Sequence, residues 1–218
     1  AIDTSTSFAA IAVSSGIHSV ELRWRAGRDQ TTSVLKQIDH CLALAGVAVG
    51  DIGAVAIAVG PGMFNGLRVG MSIADGLAIA GDFPLIGVST MAVTAAPWIG
   101  LGREVIAVVE AGRGRVVCQR FAADPALRAM DTAQNMTTAQ LTEMVVAQPE
   151  SLVIGEIPQE IQDVFPRHNV AFRSGAAGGR WPLVLAELAR ERLDRGDVDD
   201  LTELEPVYLH GQAAGVGE

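Results

Sequence analysis

The chain has 218 residues, a length that fits one large domain or two small ones. Apolar residues make up 49% of it and charged residues 19%, so the chain can bury a sizeable core, and wholesale disorder is excluded. The net charge is −9, which argues against sequence-independent binding of the chain alone to nucleic acid or to an anionic membrane.

The first hundred residues predict an ordered series of strands and helices. In chain order these are short strands at residue 2, at 8–13 and at 20–25, a helix over 29–46, a strand over 54–59 and a helix over 66–80. We expect the first three strands to form an antiparallel meander. The uninterrupted apolar run at 54–59 is typical of a strand covered on both faces. The helix over 66–80 is apolar almost all round, so it requires a core or a partner.

The second half predicts a separate lobe, because prolines and glycines between residues 97 and 102 mark a change in the chain. We therefore divide the chain into lobes 1–100 and 101–218. The predicted elements of the second lobe are a hairpin of strands 105–109 and 116–121, a helix from Thr137 or Thr138 to about residue 147, short strands at 152–154 and 170–172, and a last helix over 181–195.

Cys41 and Cys118 lie far apart in apolar settings, which favours two buried thiols in a reducing compartment. The uncharged stretch 83–102 contains prolines and glycines that a lipid-exposed helix would not tolerate, so we expect a cytoplasmic protein without membrane contact. The four histidines show no pair at the spacing of a helical metal site, and no metal site is predicted; they are His18, His40, His168 and His210.

The sharpest motif is the glycine loop, residues 60–68, which reads Gly-Pro-Gly-Met-Phe-Asn-Gly-Leu-Arg. The backbone N–H groups around Gly60, Gly62 and Gly66 could face a phosphate, helped by the N-terminus of the following helix. It is not a Walker A loop, because no Gly-Lys-Ser/Thr follows. The alternative is a strand-to-helix corner that needs glycine for its shape and binds nothing.

Two further clusters have a functional and a structural interpretation. Asp3 and Thr4, which follow the first strand, are candidates for holding a metal-bound phosphate, or form a turn capped by side-chain hydrogen bonds. Arg113 and Arg115, beside Glu110, bind a phosphate or carboxylate, or form surface ion pairs.

Taken together, four motifs in this order resemble the TsaB (YeaZ) family of bacterial proteins. They are residues 2–6 (Ile-Asp-Thr-Ser-Thr), the glycine loop with its continuation Val-Gly to residue 70, residues 87–89 (Gly-Val-Ser) and residues 206–209 (Pro-Val-Tyr-Leu). The chain departs from the family where Met63 and Asn65 replace the commoner Ser and Thr of the loop, which removes two hydroxyls. It also departs at residues 110–114, which read Glu-Ala-Gly-Arg-Gly where Asp-Ala-Arg-Arg-Gly is typical of the family. His210 stands after Tyr-Leu where the family usually has an arginine.

The resemblance implies an α/β protein of the actin-like ATPase (ASKHA, RNase H-like) fold, with two lobes that each have a mixed sheet flanked by helices. The family is paralogous to TsaD, the enzyme that places threonylcarbamoyl on the adenosine following the anticodon of ANN-decoding tRNAs. TsaD holds a metal with a His-x-x-x-His pair, and this sequence has none. The expected role is therefore that of a non-catalytic subunit that binds and activates a TsaD-like enzyme, with a TsaE-like ATPase joining and tRNA contacted indirectly.

The resemblance also implies that the first two helices bind the catalytic subunit, and that the same surface forms a homodimer when the chain is alone. We predict a helix-bundle contact centred on Leu35, Ile38, Leu42, Leu67, Met71 and Ala74. No cofactor of its own is expected; ATP or ADP, if bound, would lie at a seam between subunits. The alternatives are an ATP-dependent transferase or kinase that uses Asp3 and the glycine loop, and a glycoprotease-like metalloenzyme.

Overall fold

A computed structural model describes residues 1–16, 18–27, 30–112 and 114–209. These residues form two compact units: the first comprises Ala1–Val93 and Trp181–Val207, and the second comprises Thr94–Arg180 with Tyr208 and Leu209. This grouping differs from the predicted lobes 1–100 and 101–218, because residues 181–207 return to the first sheet. Arg113 and His210, which the sequence analysis singled out, lie outside the described residues.

The helices and strands follow one another closely along the chain. In chain order they are β1 (Ile2–Asp3), β2 (Phe8–Ser14), β3 (Ser19–Arg25), α1 (Gln30–Ala45), β4 (Val55–Gly60), α2 (Phe64–Gly81), β5 (Leu85–Ser89), α3 (Thr90–Ala95), β6 (Val105–Gly112), β7 (Arg115–Phe121), β8 (Gln134–Thr137), α4 (Thr138–Val146), β9 (Leu152–Gly155), α5 (Gln159–Gln162), β10 (Ala171–Arg173) and α6 (Pro182–Asp194).

The first unit is built on a five-stranded mixed sheet in the order β3-β2-β1-β4-β5. Strands β1, β2 and β3 pair antiparallel, which confirms the predicted meander, and β4 runs parallel to β1 and β5. Every residue of β4 is buried, as its apolar run predicts. Strand β5 was not predicted from the sequence, where only its Gly-Val-Ser step drew attention.

Helices cover both faces of this sheet, and the alternation along β4 shows which side chains meet which helix. Val55, Ile57 and Val59 belong to one core cluster with α1 and α2. Ala56 and Ala58 point the other way and belong to a second cluster with Leu185 and Ala189 of α6. The small alanines let α6 pack closely on that face.

The second unit has its own five-stranded mixed sheet in the order β10-β9-β6-β7-β8. The predicted hairpin is confirmed as the antiparallel pair β6–β7, while β9 runs parallel to β6 and β10. Helix α4 begins with a capping box in which Thr137 and Gln140 bond each other's backbone N–H groups. Buried Phe165 meets Phe172 edge to face, with ring centroids 5.5 Å apart.

Within the described ranges, no helix combines the length and the apolar character that crossing a bilayer requires.

Candidate glycine loop and partner interface

The glycine loop connects the end of β4 to the start of α2 in the first unit. Gly60 has a φ of +112°, a backbone conformation that favours glycine, and the Gly60–Pro61 peptide is cis. Helix α2 begins at Phe64, two residues earlier than the start predicted from the sequence, so Gly66 lies inside its first turn. The Thr90 hydroxyl donates to the Pro61 carbonyl oxygen at 2.6 Å and helps fix the corner.

The loop packs directly against the turn that follows β1. The Met63 N–H donates to the Ser5 carbonyl oxygen at 2.7 Å, and the Thr4 hydroxyl donates to the Gly66 carbonyl oxygen at 2.7 Å. A Cβ atom on Gly62 would overlap the Ser5 carbonyl, and one on Gly66 would overlap the Thr4 carbonyl. The chain's own backbone therefore fills the space in which a side chain on Gly62 or Gly66 would stand.

Asp3 is buried and holds the same turn together. Its Oδ1 accepts the Ser5 N–H at 2.9 Å and also the Ser5 hydroxyl. Thr6 repeats the pattern, because its hydroxyl accepts the Phe8 N–H at 3.0 Å. This geometry agrees with the interpretation of a capped turn, in which side chains satisfy the backbone groups that strand pairing leaves over.

Five of the six predicted interface residues are buried inside the chain, so the residue-level prediction of the partner contact is wrong for them. Their exposed fractions are 8% for Ile38, 5% for Leu42, 1% for Leu67, 6% for Met71 and 0% for Ala74. These side chains face the sheet, and a charge introduced at one of them would disrupt the core before it disrupted a complex. Leu35 differs, because 44% of it is exposed on the outward side of α1.

The outward face of α2 carries a different set of residues, which we call the α2 stripe: Phe64, Arg68, Ser72, Asp75 and Ile79. They are spaced three or four residues apart, so they line up along one side of the helix. Phe64 is 50% exposed and Ile79 70% exposed. The Arg68 guanidinium lies over the Phe64 ring, 5.2 Å from its centroid. The stripe was not predicted from the sequence, because the buried side of α2 has the stronger apolar pattern.

Asp75 is the one acidic residue of α2. Its Oδ1 is buried and has no hydrogen-bond partner within the described part of the chain. Burial raises the pKa of this carboxyl group. A buried carboxylate oxygen without a donor is unfavourable in the isolated chain and would gain from a donor supplied from outside.

In the second unit, contacts within the chain hold the side chain of Arg115 and the backbone of Glu110. Arg115 donates to the side chain of Asn135 at 2.6 Å and to its carbonyl oxygen at 2.9 Å. The Glu156 carboxylate accepts the Glu110 N–H at 3.1 Å and lies 3.5 Å from the buried guanidinium of Arg180. Among the described residues, no three His, Cys, Asp or Glu side chains are placed to hold a metal ion together.

With this geometry in place, comparison with known proteins gives the family. The family whose sequence model matches is TsaD, tRNA N6-adenosine threonylcarbamoyltransferase, over residues 25–177. The chain belongs to this family.

Two relatives to which the chain is similar are named TsaB. A TsaB protein of Escherichia coli is 36% identical over 99 residues, 44% of this chain and 43% of that protein. A TsaB protein of Haemophilus influenzae is 26% identical over 232 residues, 97% of this chain and 93% of that protein.

Two solved structures from Pseudomonas aeruginosa share the fold. One is described as similar to the peptidase YeaZ and superimposes with a TM-score of 0.79 at 23% identity, covering 96% of this chain and 97% of that one. The other, named YeaZ, gives a TM-score of 0.78 at 23% identity, covering 95% and 97%. The TsaB relatives support the resemblance to the TsaB (YeaZ) family that the motifs indicated. The α/β fold class predicted from those motifs, with two mixed sheets flanked by helices, is confirmed.

Proposed function

We propose that this chain is the non-catalytic subunit that binds and activates a TsaD-like enzyme in the formation of threonylcarbamoyladenosine on tRNA. Its relatives named tRNA threonylcarbamoyladenosine biosynthesis protein TsaB support the pathway, one of them across 97% of this chain. The observation that carries the subunit role is the outward face of α2. This helix buries one side in the core and still exposes Phe64 and Ile79 to solvent.

The glycine loop supports a role without chemistry of its own. In an enzyme that binds a nucleotide there, Thr4, Gly62 and Gly66 would be directed at the ligand. Here Thr4 bonds Gly66, and the backbone of the β1 turn fills the space beside both glycines. Any nucleotide of the assembly would then be bound at a seam with another subunit rather than in this loop.

The overall charge supports an indirect contact with tRNA. A chain with a net charge of −9 gains little from phosphate contacts, so the catalytic partner would hold most of the tRNA. A TsaE-like ATPase would join the assembly, and without the catalytic partner the chain would form a homodimer through the same outward face.

The first test is co-expression with the TsaD-like protein of the same organism, followed by size-exclusion chromatography with light scattering. We expect a one-to-one complex that Ile79→Glu weakens by more than about tenfold, because a charge would be buried at the contact. The matched control is Leu101→Glu, which changes a 58% exposed leucine in the second unit. A complex that tolerates Ile79→Glu as well as Leu101→Glu would contradict the proposed surface.

The second candidate function is an ATP-dependent transferase or kinase, and calorimetry separates it from the subunit role. Tight binding of ATP and magnesium by the isolated chain would favour the enzyme. A glycoprotease-like metalloenzyme would instead require metal-dependent turnover by the chain alone.

A further inference from the structure

Asp75 is the residue of the α2 stripe whose hydrogen-bonding needs the chain itself does not meet. Its Oδ1 is buried and accepts no hydrogen bond within the described residues. The base of the stripe, Arg68, lies two turns away, about 10.5 Å along the helix at 1.5 Å per residue. The Arg68 guanidinium lies over the Phe64 ring instead, 5.2 Å from its centroid. The carboxylate of Asp75 therefore lacks a donor that its own helix could supply.

We propose that Asp75 determines which partner the outward face of α2 accepts, by taking a hydrogen bond from an arginine or lysine side chain of the TsaD-like subunit. This inference rests on the proposed function, which supplies the partner. It adds the chemistry that the partner must present, which is a cationic donor in reach of Asp75. A catalytic subunit without such a side chain would bind weakly, because it would bury the carboxylate further without pairing it.

The carboxylate of Asp75 is within reach of a partner. The residue is only partly buried, and the torsion about its Cβ–Cγ bond is broad, so a small rotation turns either oxygen toward an incoming donor. Ser72 and Gly76 are small, exposed neighbours on α2. A Cβ atom on Gly76 would meet no atom within 4 Å. A long side chain of the partner therefore has room to approach Asp75.

The surroundings of Asp75 favour a cationic donor over a neutral one. Phe64 and Ile79 are 50% and 70% exposed, and covering them would keep water away from the carboxylate. A hydrogen bond between two charged groups gains strength in such a dry contact. Burial already raises the pKa of the Asp75 carboxyl group, and a cation beside it would restore the stabilisation that its charge has lost.

The binding test uses the full chain and the TsaD-like protein of the same organism, with affinity measured by calorimetry. Asp75→Asn keeps the shape of the side chain and one acceptor but removes the charge, so it should weaken the complex by more than about tenfold. Asp75→Ala should weaken it at least as much. The matched control is Asp82→Asn, the same change at the exposed C-cap of α2, where asparagine tolerates the left-handed backbone. It should bind within about threefold of the unmodified chain.

A second readout separates a partner-binding role from a structural one. Asp75→Ala removes a buried acceptor that has no donor in the isolated chain. The isolated variant should therefore unfold at the same urea concentration as the unmodified chain, or at a higher one. A residue that held the fold together would instead lose stability and affinity together.

A double-mutant cycle identifies the donor of the partner. Each surface arginine and lysine of the TsaD-like protein is replaced by methionine and titrated against the unmodified chain and against Asp75→Asn. One replacement should weaken binding of the unmodified chain by more than about tenfold and leave binding of the Asp75→Asn variant almost unchanged.

Three results would overturn the inference: an Asp75→Asn variant that binds as tightly as the unmodified chain, a loss of stability that matches the loss of affinity, or no cation of the partner that couples to Asp75. Each of them leaves the proposed function standing, because the complex itself still forms. If the unmodified chain and the TsaD-like protein form no complex, the proposed function fails and the inference fails with it.

Discussion

The substitution Gly66→Ala tests what the glycine loop is for. In the structure, Gly66 lies in the first turn of α2, directly over the Thr4 carbonyl oxygen, and its own carbonyl accepts the Thr4 hydroxyl. An added methyl group would overlap a buried backbone atom, so α2 must move away from the β1 turn. If the loop were instead an open anion cradle, the same methyl group would enter free space.

The expected magnitude follows from three opposing effects. Moving α2 to relieve the overlap costs about 1–3 kcal/mol, as overpacking in a core does. Weakening the hydrogen bond from Thr4 costs about 1 kcal/mol more. Alanine returns up to about 1 kcal/mol, because it favours a helix over glycine. The net effect is a loss of about 1–3 kcal/mol in the free energy of unfolding.

Gly76→Ala is the matched control in the same helix. A Cβ on Gly76 meets no atom within 4 Å, so the variant should gain about 1 kcal/mol from helix propensity alone. Both variants are compared with the unmodified chain by urea unfolding followed by circular dichroism, at a concentration where the chain is monomeric. Equal stabilisation by Gly66→Ala and Gly76→Ala would refute the packing explanation of the loop.

Three more predictions follow from contacts elsewhere. Arg192→Ala should cost about 2 kcal/mol in urea unfolding, because its guanidinium donates to the Gly87 carbonyl at 2.7 Å and to Asp197. The hydrogen bond from Arg192 lowers the pKa of Asp197, so this carboxylate stabilises the fold at neutral pH. The stability lost in Asp197→Asn should therefore shrink as pH falls below about 4. Burial raises the pKa of Cys118 to about 12, so at pH 8 its thiol should react with DTNB only after unfolding, and a fast reaction in the folded chain would contradict this.

Local signals in the sequence were sufficient to predict several of the strands and helices. The apolar run of β4 could be predicted because both faces of that strand are covered, and α4 because Thr137 and Gln140 form a capping box. Strand β8 escaped prediction, since its residues Gln134–Thr137 are only partly buried at a sheet edge and show no apolar alternation.

The position of α6 could not be predicted, because chain order places it after the second unit. Long-range contacts hold it on the first sheet: Leu185 and Ala189 pack against β4, and Arg192 bonds Gly87 of β5. No local pattern in residues 181–195 indicates which sheet receives the helix.

The interface residues were mispredicted for a related reason. Spacing shows that a helix has apolar residues on several sides, but it does not show which side faces its own sheet. In α2 the larger residues Leu67 and Met71 face the core, because large side chains fill a closely packed interior. The outward side carries the small residues Ser72 and Gly76, and Ile79 near its end. The glycines of the glycine loop likewise indicate that another group approaches the backbone closely. They do not show whether that group is a ligand or another part of the protein.

The most direct measurement of the central claim is a tRNA modification assay with the TsaD-like enzyme of the same organism, run with and without this chain. We predict that threonylcarbamoyladenosine forms only when the chain is present, that Ile79→Glu abolishes the effect, and that Leu101→Glu preserves it. Modification that is unchanged when the chain is omitted, or turnover by the chain alone, would contradict the account.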